Sequence, residues 1–531
     1  MREAIMKINY KTILLFSLAA FSVGFLLDSY SSGTFPLLWL HDGGISFSPD
    51  TAAFLKEILA FFKRYTPHII TIYVLLIAFL ILMEGQNPDR TILWLLTLLL
   101  LPGLGLILYI VLGPDMRRLA NKKKFRAKNT SLCLSGEPCG ENRRFDEKLA
   151  TLLYRSNNAP LLQFNEVELL INGEQKFPRL WDALKKATRY IHLEYFIIQN
   201  DALGQELADI LCERVAAGVT VRLMFDDVGS WKLGRAYAKR LRNAGVEVHA
   251  FMPSSFAFFR SSVNFRNHRK IAVIDGTIAF SGGLNIGVEY LGMGKLGFWR
   301  DTHAVFKGDA VMAFHQIFIR DWNFCSGQNL DPEDIAFQPT ERDEAKEYPL
   351  MPLQIATSGS DSAWSSIGQA YTSMISNAKK RIWITTPYLV PGSAILNELR
   401  IAAMSGVDVR ILIPSVPDHK LVYWAGRSNI ENLLRCGVRI WMYQNGFVHA
   451  KTLLMDHSVA SVGTANLDTR SLEINFEVQA FIYDEGINEQ MANQFLKDME
   501  SSAECLLQEW NKRPFHQKFL ESIGRLWSAQ I

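Results

Sequence analysis

The sequence predicts an α/β protein in which two similar α/β halves form one core, with N-terminal transmembrane helices before the core. Three observations support this fold class. Uncharged apolar blocks are concentrated within residues 1–113. From about residue 155 onward, short β-branched runs alternate with helical stretches, which is the pattern of βα units around a mixed sheet. Within this second region the pattern His-x-Lys-x4-Asp occurs twice, beginning at His268 and at His449.

The first region, residues 1–113, contains three apolar segments without a charge, at 12–27, 69–83 and 92–113. A helix that spans a bilayer needs about 20 apolar residues, with a range of roughly 17 to 25. The third segment meets this length, and the first two are slightly short. We predict that all three are membrane segments, although a removable signal peptide is the alternative for the first one.

Basic residues flank the apolar segments on both sides. Lys7 and Lys11 precede the first segment, and seven lysines and arginines lie between 117 and 128, within the predicted basic linker 114–154. Because basic residues stay on the cytoplasmic side, both ends are expected there, with the following core on the cytoplasmic face of the membrane. Three complete crossings cannot satisfy this expectation, so either one segment does not span or the N-terminus lies outside.

The composition narrows the class of protein. The 531 residues are 49% hydrophobic, which suits a large core, and the net charge is only +3. A protein that depends on phosphate contacts with nucleic acid is usually more basic, so we expect no nucleic-acid partner. The six cysteines show no metal-binding spacing, and only Cys133 and Cys139 are candidates for a local disulfide, if their segment faces an oxidising compartment.

Four helix and strand units recur in the same order in two predicted halves, residues 155–337 and 338–531. The stretch "ERVAAGVTVRLMFD" corresponds to "RIAAMSGVDVRILIP", and "LRNAGVEVHAF" corresponds to "LLRCGVRIWMY". In both pairs a helix is expected to end at a glycine, namely Gly218 and Gly245 in the first half and Gly406 and Gly437 in the second. These similar spacings predict an internal duplication.

The motif at 268–285 and its copy at 449–466 each predict a strand followed by a tight turn. Alternate residues of a strand face the same side, so His268 lies beside Lys270, and His449 beside Lys451. Asp275 precedes a glycine, a strong hairpin signal, so it and Asp456 are expected mainly to shape turns although they belong to the candidate catalytic set. A two-residue turn would place Lys270 opposite Ser281, and Thr464 opposite His449.

Asn285 and Asn466 follow the two motifs at matching positions and are candidate phosphate-binding residues. Each half then supplies an imidazole, an ammonium group and a carboxamide, a set that suits an anionic phosphoryl group. One histidine is suited to attack phosphorus while the other protonates the leaving alkoxide. A single His-x-Lys is most often a coincidence, but two copies with matched sequels favour a catalytic site, without metal or cofactor.

The stretches "HRKIAVID...GGLN" and "HAKTLLMD...GTANLDTRSLEINFE" resemble the signature motifs of the phospholipase D superfamily. Together with "TTPYLVP" and the apolar segments, the chain resembles bacterial cardiolipin synthases of that superfamily, which implies a multi-pass protein of the bacterial inner membrane. The resemblance implies transfer of a phosphatidyl group from one phosphatidylglycerol to another, through a phosphohistidine and with membrane lipids as partners. It implies His268 as nucleophile and His449 as general acid and base. It also implies crossed orienting carboxylates, Glu477 for His268 and Asp301 for His449.

The sequence is also compatible with other functions. The same motifs suit a phospholipase D hydrolase or a phosphatidyltransferase with another donor or acceptor alcohol, and less well a membrane-tethered nuclease or an inactive scaffold. The oligomeric state is not predicted. Apolar residues at helical spacing in the tail, from Phe515 to Leu526, predict a C-terminal amphipathic helix that either lies in the membrane interface or packs on the domain.

Overall fold

The computed structural model describes residues 88–101, 146–251, 265–334, 347–359, 362 and 364–528, together with residue 105 and positions scattered between 64 and 79. The apolar segment 12–27 and the pair Cys133 and Cys139 lie outside the described residues. The chain divides into two compact units, one of residues 1–114 with 259–261 and the other of the remaining residues.

In the first unit the described helix α1, Pro88–Leu100, covers the beginning of the third apolar segment. None of the helices formed by described residues has both the length and the apolar character needed to cross a membrane.

The second unit alternates strands and helices as the repeat predicts. Its helices are α2 (Glu147–Asn157), α3 (Asn172–Lys185), α4 (Ala202–Ala216), α5 (Gly234–Asn243), α6 (Asp309–Ser326), α7 (Ser366–Asn377), α8 (Ser393–Met404), α9 (Lys420–Arg435), α10 (Thr469–Glu473), α11 (Glu485–Glu500), α12 (Leu507–Asn511) and α13 (Phe515–Trp527). Its strands are β1 (Leu162–Ile171), β2 (Tyr190–Tyr195), β3 (Thr220–Asp226), β4 (Glu247–Phe251), β5 (Ile271–Ile274), β6 (Ile278–Gly282), β7 (Trp299–Arg300), β8 (Thr302–Gly308), β9 (Leu350–Ser358), β10 (Arg381–Thr385), β11 (Leu389–Val390), β12 (Asp408–Pro414), β13 (Arg439–Tyr443), β14 (Phe447–Val448), β15 (Thr452–Met455), β16 (Val459–Gly463), β17 (Leu467–Asp468), β18 (Glu477–Ile482) and β19 (Ser502–Glu504).

The two halves contribute strands to one continuous mixed sheet. The first half has the order β1-β8-β6-β5-β2-β3-β4, and the second half repeats it as β9-β18-β16-β15-β10-β12-β13, with β19 added at the edge. The halves join where β1 pairs antiparallel with β9. The predicted duplication is therefore confirmed, and the halves meet edge to edge through backbone hydrogen bonds.

Helices cover both faces of this sheet. On one face α6 and α11 pack into a shared core with residues from both halves, among them Phe306, Trp322 and Phe476. On the other face each half has its own core, formed with α3, α4 and α5 in the first and with α7, α8 and α9 in the second. The glycines predicted to end the helices adopt left-handed conformations, with φ of 89° at Gly218 and 91° at Gly406.

The predicted basic linker 114–154 is wrong for its last residues. Glu147–Asn157 forms α2, which begins at the N-cap Asp146. This helix buries Leu149, Ala150 and Leu153 in the core of the second half. These apolar residues recur at helical spacing, and removing their apolar surface from water is more favourable than leaving it exposed in a linker.

Candidate active site

The motif residues lie at the entry to two equivalent hairpins, just before β5 and β15. His268 and Lys270 precede Ile271, and His449 and Lys451 precede Thr452. Lys270 Nζ donates to the carbonyl of His268 at 2.7 Å, and Lys451 Nζ donates to the carbonyl of His449. The ammonium group of each lysine is therefore close to its own histidine, whose pKa it acts to lower.

The aspartates of the motif lie in the turns of the two hairpins, where their carboxylates accept hydrogen bonds from backbone N–H groups. Asp275 accepts hydrogen bonds from the backbone N–H groups of Thr188, Arg189 and Tyr190 at 2.8–2.9 Å. Asp456 accepts from the N–H groups of residues 379–381 in the same way. Both carboxylates hold a helix-to-strand junction, in agreement with the expected turn role, and their membership of the catalytic set stays a prediction.

The predicted register of both hairpins is wrong by one residue. Ile271 pairs with Ser281 and Ile274 with Ile278, so three residues form the turn. The second hairpin has the same loop length, since Met455 pairs with Val459. The left-handed conformation of the turn aspartates, with φ of 53° and 49°, accommodates the additional residue.

Each histidine binds a carboxylate that comes from the opposite half. Nδ1 of His268 lies 2.9 Å from Oε2 of Glu477, and Nδ1 of His449 lies 2.7 Å from Oδ2 of Asp301. All four side chains are buried. A carboxylate at Nδ1 fixes the tautomer that leaves Nε2 with a free electron pair. The structure thus places the pairs in the crossed arrangement that the family resemblance implies.

Backbone hydrogen bonds between the halves fix this crossing. The N–H of His268 donates to the carbonyl of Phe476 at 2.9 Å, and the N–H of His449 donates to the carbonyl of Arg300 at 2.7 Å. Each accepting residue immediately precedes the carboxylate that orients the same histidine. Strands β7 and β14 also pair across the halves, with Val448 beside Arg300. Neither half can therefore form a complete histidine site alone.

The residues opposite the two carboxylates differ in size to match them. The Cβ of a residue added at Gly283 would lie 2.1 Å from Oδ1 of Asp301, so only glycine leaves room for this carboxylate. At the corresponding position of the second half, Thr464 donates its hydroxyl to Oε2 of Glu477 at 2.5 Å.

Burial dominates the electrostatics of the site. It lowers the pKa of His268 and of His449 to about 4, although Glu477 and Asp301 each act to raise the value of their partner. Burial also lowers the pKa of Lys451 to about 8, opposed by nearby carboxylates, and lowers that of Lys270 well below its usual value. Both imidazoles are therefore neutral at pH 7 in the free protein.

The two predicted phosphate-binding amides have different surroundings. Asn285 accepts a hydrogen bond from the N–H of Ile197 at 3.1 Å and donates to the hydroxyl of Tyr290 at 2.7 Å. These bonds commit much of its carboxamide to the protein. Asn466 is also buried, but among the described residues its Oδ1 has no hydrogen-bond partner. Of the two, Asn466 is the better candidate for a ligand contact.

Two polar residues that the sequence did not identify, Tyr388 and Asp418, form a hydrogen bond near the strand pair that follows Asn466. Leu389 pairs in parallel with Leu467, which places the preceding residue, Tyr388, next to Asn466. The half-buried phenol of Tyr388 donates to Oδ2 of Asp418. Asp418 also acts electrostatically on Lys451, whose pKa it raises. At the position of Tyr388 the first half carries Ile197, so comparison of the two repeats is the signal that would have identified it.

The comparisons with known proteins agree with this site. Residues 180–322 and 371–499 match a family model described as cardiolipin synthase, PLD-like domain, and residues 69–114 match a phospholipase D-nuclease N-terminal model. A cardiolipin synthase of Geobacillus sp. strain WCH70 is 42% identical over 87% of this chain and 93% of its own length. The major cardiolipin synthase ClsA of Bacillus subtilis strain 168 is 40% identical over 86% of this chain and 96% of its own length.

Among solved structures, a phosphatidylserine synthase of Haemophilus influenzae Rd KW20 aligns with a TM-score of 0.54 at 17% identity, over 72% of this chain and all of that one. At this identity the likeness establishes the fold alone. The family model and the relatives cover both halves with their motifs. The chain therefore belongs to the cardiolipin synthase family, whose members carry a phospholipase D-like domain.

Proposed function

We propose that this protein is a cardiolipin synthase that transfers a phosphatidyl group from one phosphatidylglycerol to the glycerol hydroxyl of a second, releasing glycerol. The two crossed histidine–carboxylate pairs, each with a buried lysine, carry the proposal. The names of relatives about 40% identical over most of the chain support it.

In the first step Nε2 of His268 attacks the phosphorus of the donor lipid. A P–N bond forms while the P–O bond to the head-group glycerol of the donor breaks, and the electron pair stays on the oxygen of that glycerol. His449, protonated at Nε2, transfers its proton to that oxygen. Lys270 and Lys451 stabilise the negative charge on the phosphoryl oxygens as it develops. Glu477 keeps the Nε2 electron pair of His268 available for the attack.

In the second step neutral His449 removes the proton from the glycerol hydroxyl of a second phosphatidylglycerol. The oxygen attacks phosphorus, the P–N bond breaks, and its electrons return to His268. One phosphodiester replaces another, so the exchange needs no external energy source. The low pKa of His449 in the free protein rises when a phosphate anion binds, because the anion favours the imidazolium. This rise is what lets His449 act as an acid in the first step.

Lys451 is expected to add a second alkaline limb to the pH dependence of kcat/KM near pH 8, beyond the decline above pH 4 that the proton on His449 causes. Lys451 has its pKa lowered to about 8, so it loses its charge above this pH and binds the phosphate less well. We expect kcat/KM to fall by a further factor of about ten per pH unit above this second limb. In Lys451→Arg, whose guanidinium stays charged, the limb should move to higher pH. A limb unchanged in the variant would assign it to another group.

The acceptor is expected to contact Tyr388 and Asp418. A phenol oxygen beside a carboxylate presents two acceptors, which match the two hydroxyls of a glycerol head group. Removing one such contact costs about 1.4 kcal/mol, or tenfold. In Tyr388→Phe and Asp418→Asn we therefore expect the ratio of phosphatidic acid to cardiolipin to rise about tenfold, because water replaces the lipid acceptor. The ratio is measured by lipid chromatography, and an unchanged ratio in both variants would exclude the contact.

Membrane attachment through the apolar segments at 12–27, 69–83 and 92–113 is part of the proposal. The match of residues 69–114 to an N-terminal family model supports it for the last two segments. The positively charged stretch that follows supports a core on the cytoplasmic face of the inner membrane.

The direct test is a product analysis with phosphatidylglycerol as the sole lipid. Purified protein should convert it to cardiolipin and free glycerol in equal amounts, without added nucleotide. Formation of phosphatidic acid without cardiolipin would identify the protein as a hydrolase with the same histidine chemistry. Absence of any product from an intact protein would contradict the proposal.

A further inference from the structure

The C-terminal helix α13 packs on helix α9 through its polar and small residues. The buried carboxylate of Glu521 binds Arg427 at 3.2 Å and Arg513 at 2.9 Å. Gly524 lies so close to α9 that an added Cβ would meet the N atom of Ala425 at 2.5 Å. The side of α13 that faces the protein therefore carries Glu521 and Gly524 beside the half-buried Leu520.

The apolar stripe of α13 points away from the protein. Phe515 is 81% exposed, Phe519 55%, Ile523 37% and Leu526 71%. The rings of Phe515 and Phe519 stack on each other with centroids 6.4 Å apart. A surface helix of a globular domain normally turns such a stripe toward the core. Here the helix packs on α9, but its apolar stripe faces outward, which an ordinary packed amphipathic helix does not show.

The charges on the exposed side of α13 have one sign. Lys518 and Arg525 are exposed, and the single carboxylate of the helix, Glu521, is buried in its ion pairs. An apolar stripe flanked only by cations is the arrangement of helices that lie in the interface of an anionic membrane. A protein partner with an apolar groove would not require this charge pattern.

The packing also relates α13 to the candidate active site. Arg513 binds Glu431 and Gly524 contacts Ala425, so α13 runs antiparallel to α9. The end of α13 that carries Leu526 therefore lies near the beginning of α9, at Lys420. Asp418, the partner of Tyr388, lies two residues before that point.

We propose that α13 docks onto the surface of an anionic lipid bilayer. Phe515, Phe519 and Leu526 enter the boundary between head groups and acyl chains, while Lys518 and Arg525 bind lipid phosphates. Docking brings the Tyr388–Asp418 side of the active site to the surface where phosphatidylglycerol resides. The inference rests on the proposed function only in that it takes this lipid as the substrate.

The first test compares two forms of the same substrate. The full chain is reconstituted in phosphatidylglycerol vesicles, or supplied in detergent with monomeric dihexanoyl-phosphatidylglycerol. In the triple variant Phe515→Ser, Phe519→Ser and Leu526→Ser, we expect kcat/KM on vesicles to fall at least about tenfold, because apolar contact with the bilayer is lost. Activity on the monomeric lipid should stay at the wild-type level. The matched control is Phe164→Ser, which alters a phenylalanine that is 51% exposed on β1.

The second test addresses the charges. Lys518→Glu with Arg525→Glu should lower activity on phosphatidylglycerol vesicles about tenfold relative to the wild type. The loss relative to the wild type on the same vesicles should be smaller when phosphatidylglycerol is diluted in phosphatidylcholine. The matched control changes two exposed basic residues of α5, Arg235→Glu with Lys239→Glu. If the α5 double variant lost as much activity as the α13 double variant, the change in net charge alone would explain the loss. That result would overturn the specific role of α13.

Cross-linking tests whether α13 contacts the lipid bilayer directly. A photoactivatable phosphatidylglycerol in the vesicles should label the peptide that contains residues 515–526, and should not label the peptide around Phe164. Absence of label on α13, or a change of oligomeric state in the triple variant instead of a loss of vesicle activity, would overturn the inference. Wild-type protein that makes no cardiolipin from either substrate form, yet cross-links through α13, would contradict the proposed function alone.

Discussion

Replacing either catalytic histidine by alanine is expected to reduce cardiolipin formation by at least about 10³-fold. His268 and His449 carry out bond formation and proton transfer in both steps, and no other described histidine has the same carboxylate-oriented position. Lipid chromatography measures the loss. The control is His457→Ala, an exposed histidine in the turn of the second hairpin, which should remain fully active.

The same variants identify the nucleophile. In His449→Ala both steps lack their proton transfer, so the substrate is phosphatidyl-p-nitrophenol, whose leaving group needs no acid. A phosphatidyl group should then accumulate on His268 and appear in the mass spectrum of its peptide. In His268→Ala no such adduct should form. An adduct on His449 in the latter variant would reverse the assignment, which the near-symmetry of the two halves permits. Wild-type rates in both single variants would contradict the mechanism.

Removing the charge of an orienting carboxylate is expected to lower kcat by about 10²–10⁴-fold. In Glu477→Gln the carboxamide no longer fixes the proton on Nδ1 of His268. In some of the molecules the proton then lies on Nε2, whose electron pair is no longer available for the attack. Asp301→Asn should act on His449 in the same way. KM should change little, because neither carboxylate touches the substrate in the proposed mechanism. The matched control is the exposed Glu473→Gln, four residues from Glu477.

Double variants distinguish this crossed arrangement from general damage to the site. Glu477→Gln added to His268→Ala should cost almost nothing further, because the carboxylate acts through the missing histidine. Glu477→Gln added to Asp301→Asn should cost more than either alone. Thermal unfolding near that of the wild type would show that the variants fold. Additive losses for His268 with Glu477 would contradict the pairing.

Tertiary structure, in contrast to local sequence, decided the exact register and the contacts around the motifs. Alternation along a strand was sufficient to place Lys270 beside His268, because it depends only on the local backbone. The hairpin register depended on a three-residue turn whose first residue, Asp275, is held by backbone N–H groups of residues 188–190. Those partners are more than 80 positions away, so no local signal gives the loop length.

The functions of the two asparagines illustrate the same limit. Asn285 and Asn466 occupy equivalent positions in the sequence, yet Tyr290 and the backbone of Ile197 engage the first. Oδ1 of the second has no partner among the described residues, and the chain next to it carries Tyr388, which binds Asp418 of another loop. The local sequence predicts that the two asparagines have equivalent roles. Their roles differ because the fold places different residues around each of them.

The sequence by itself determined the duplicated α/β core, the two His-x-Lys pairs and the chemistry that they suit, because strand periodicity, glycine helix ends and repeat spacing are local properties. Only the tertiary structure decided how the halves join through β1 and β9, and how their backbones cross so that each histidine meets the other half's carboxylate. It also decided which side of α13 faces outward, because the ion pairs of Glu521 and the fit of Gly524 against α9 outweigh the burial of an apolar stripe.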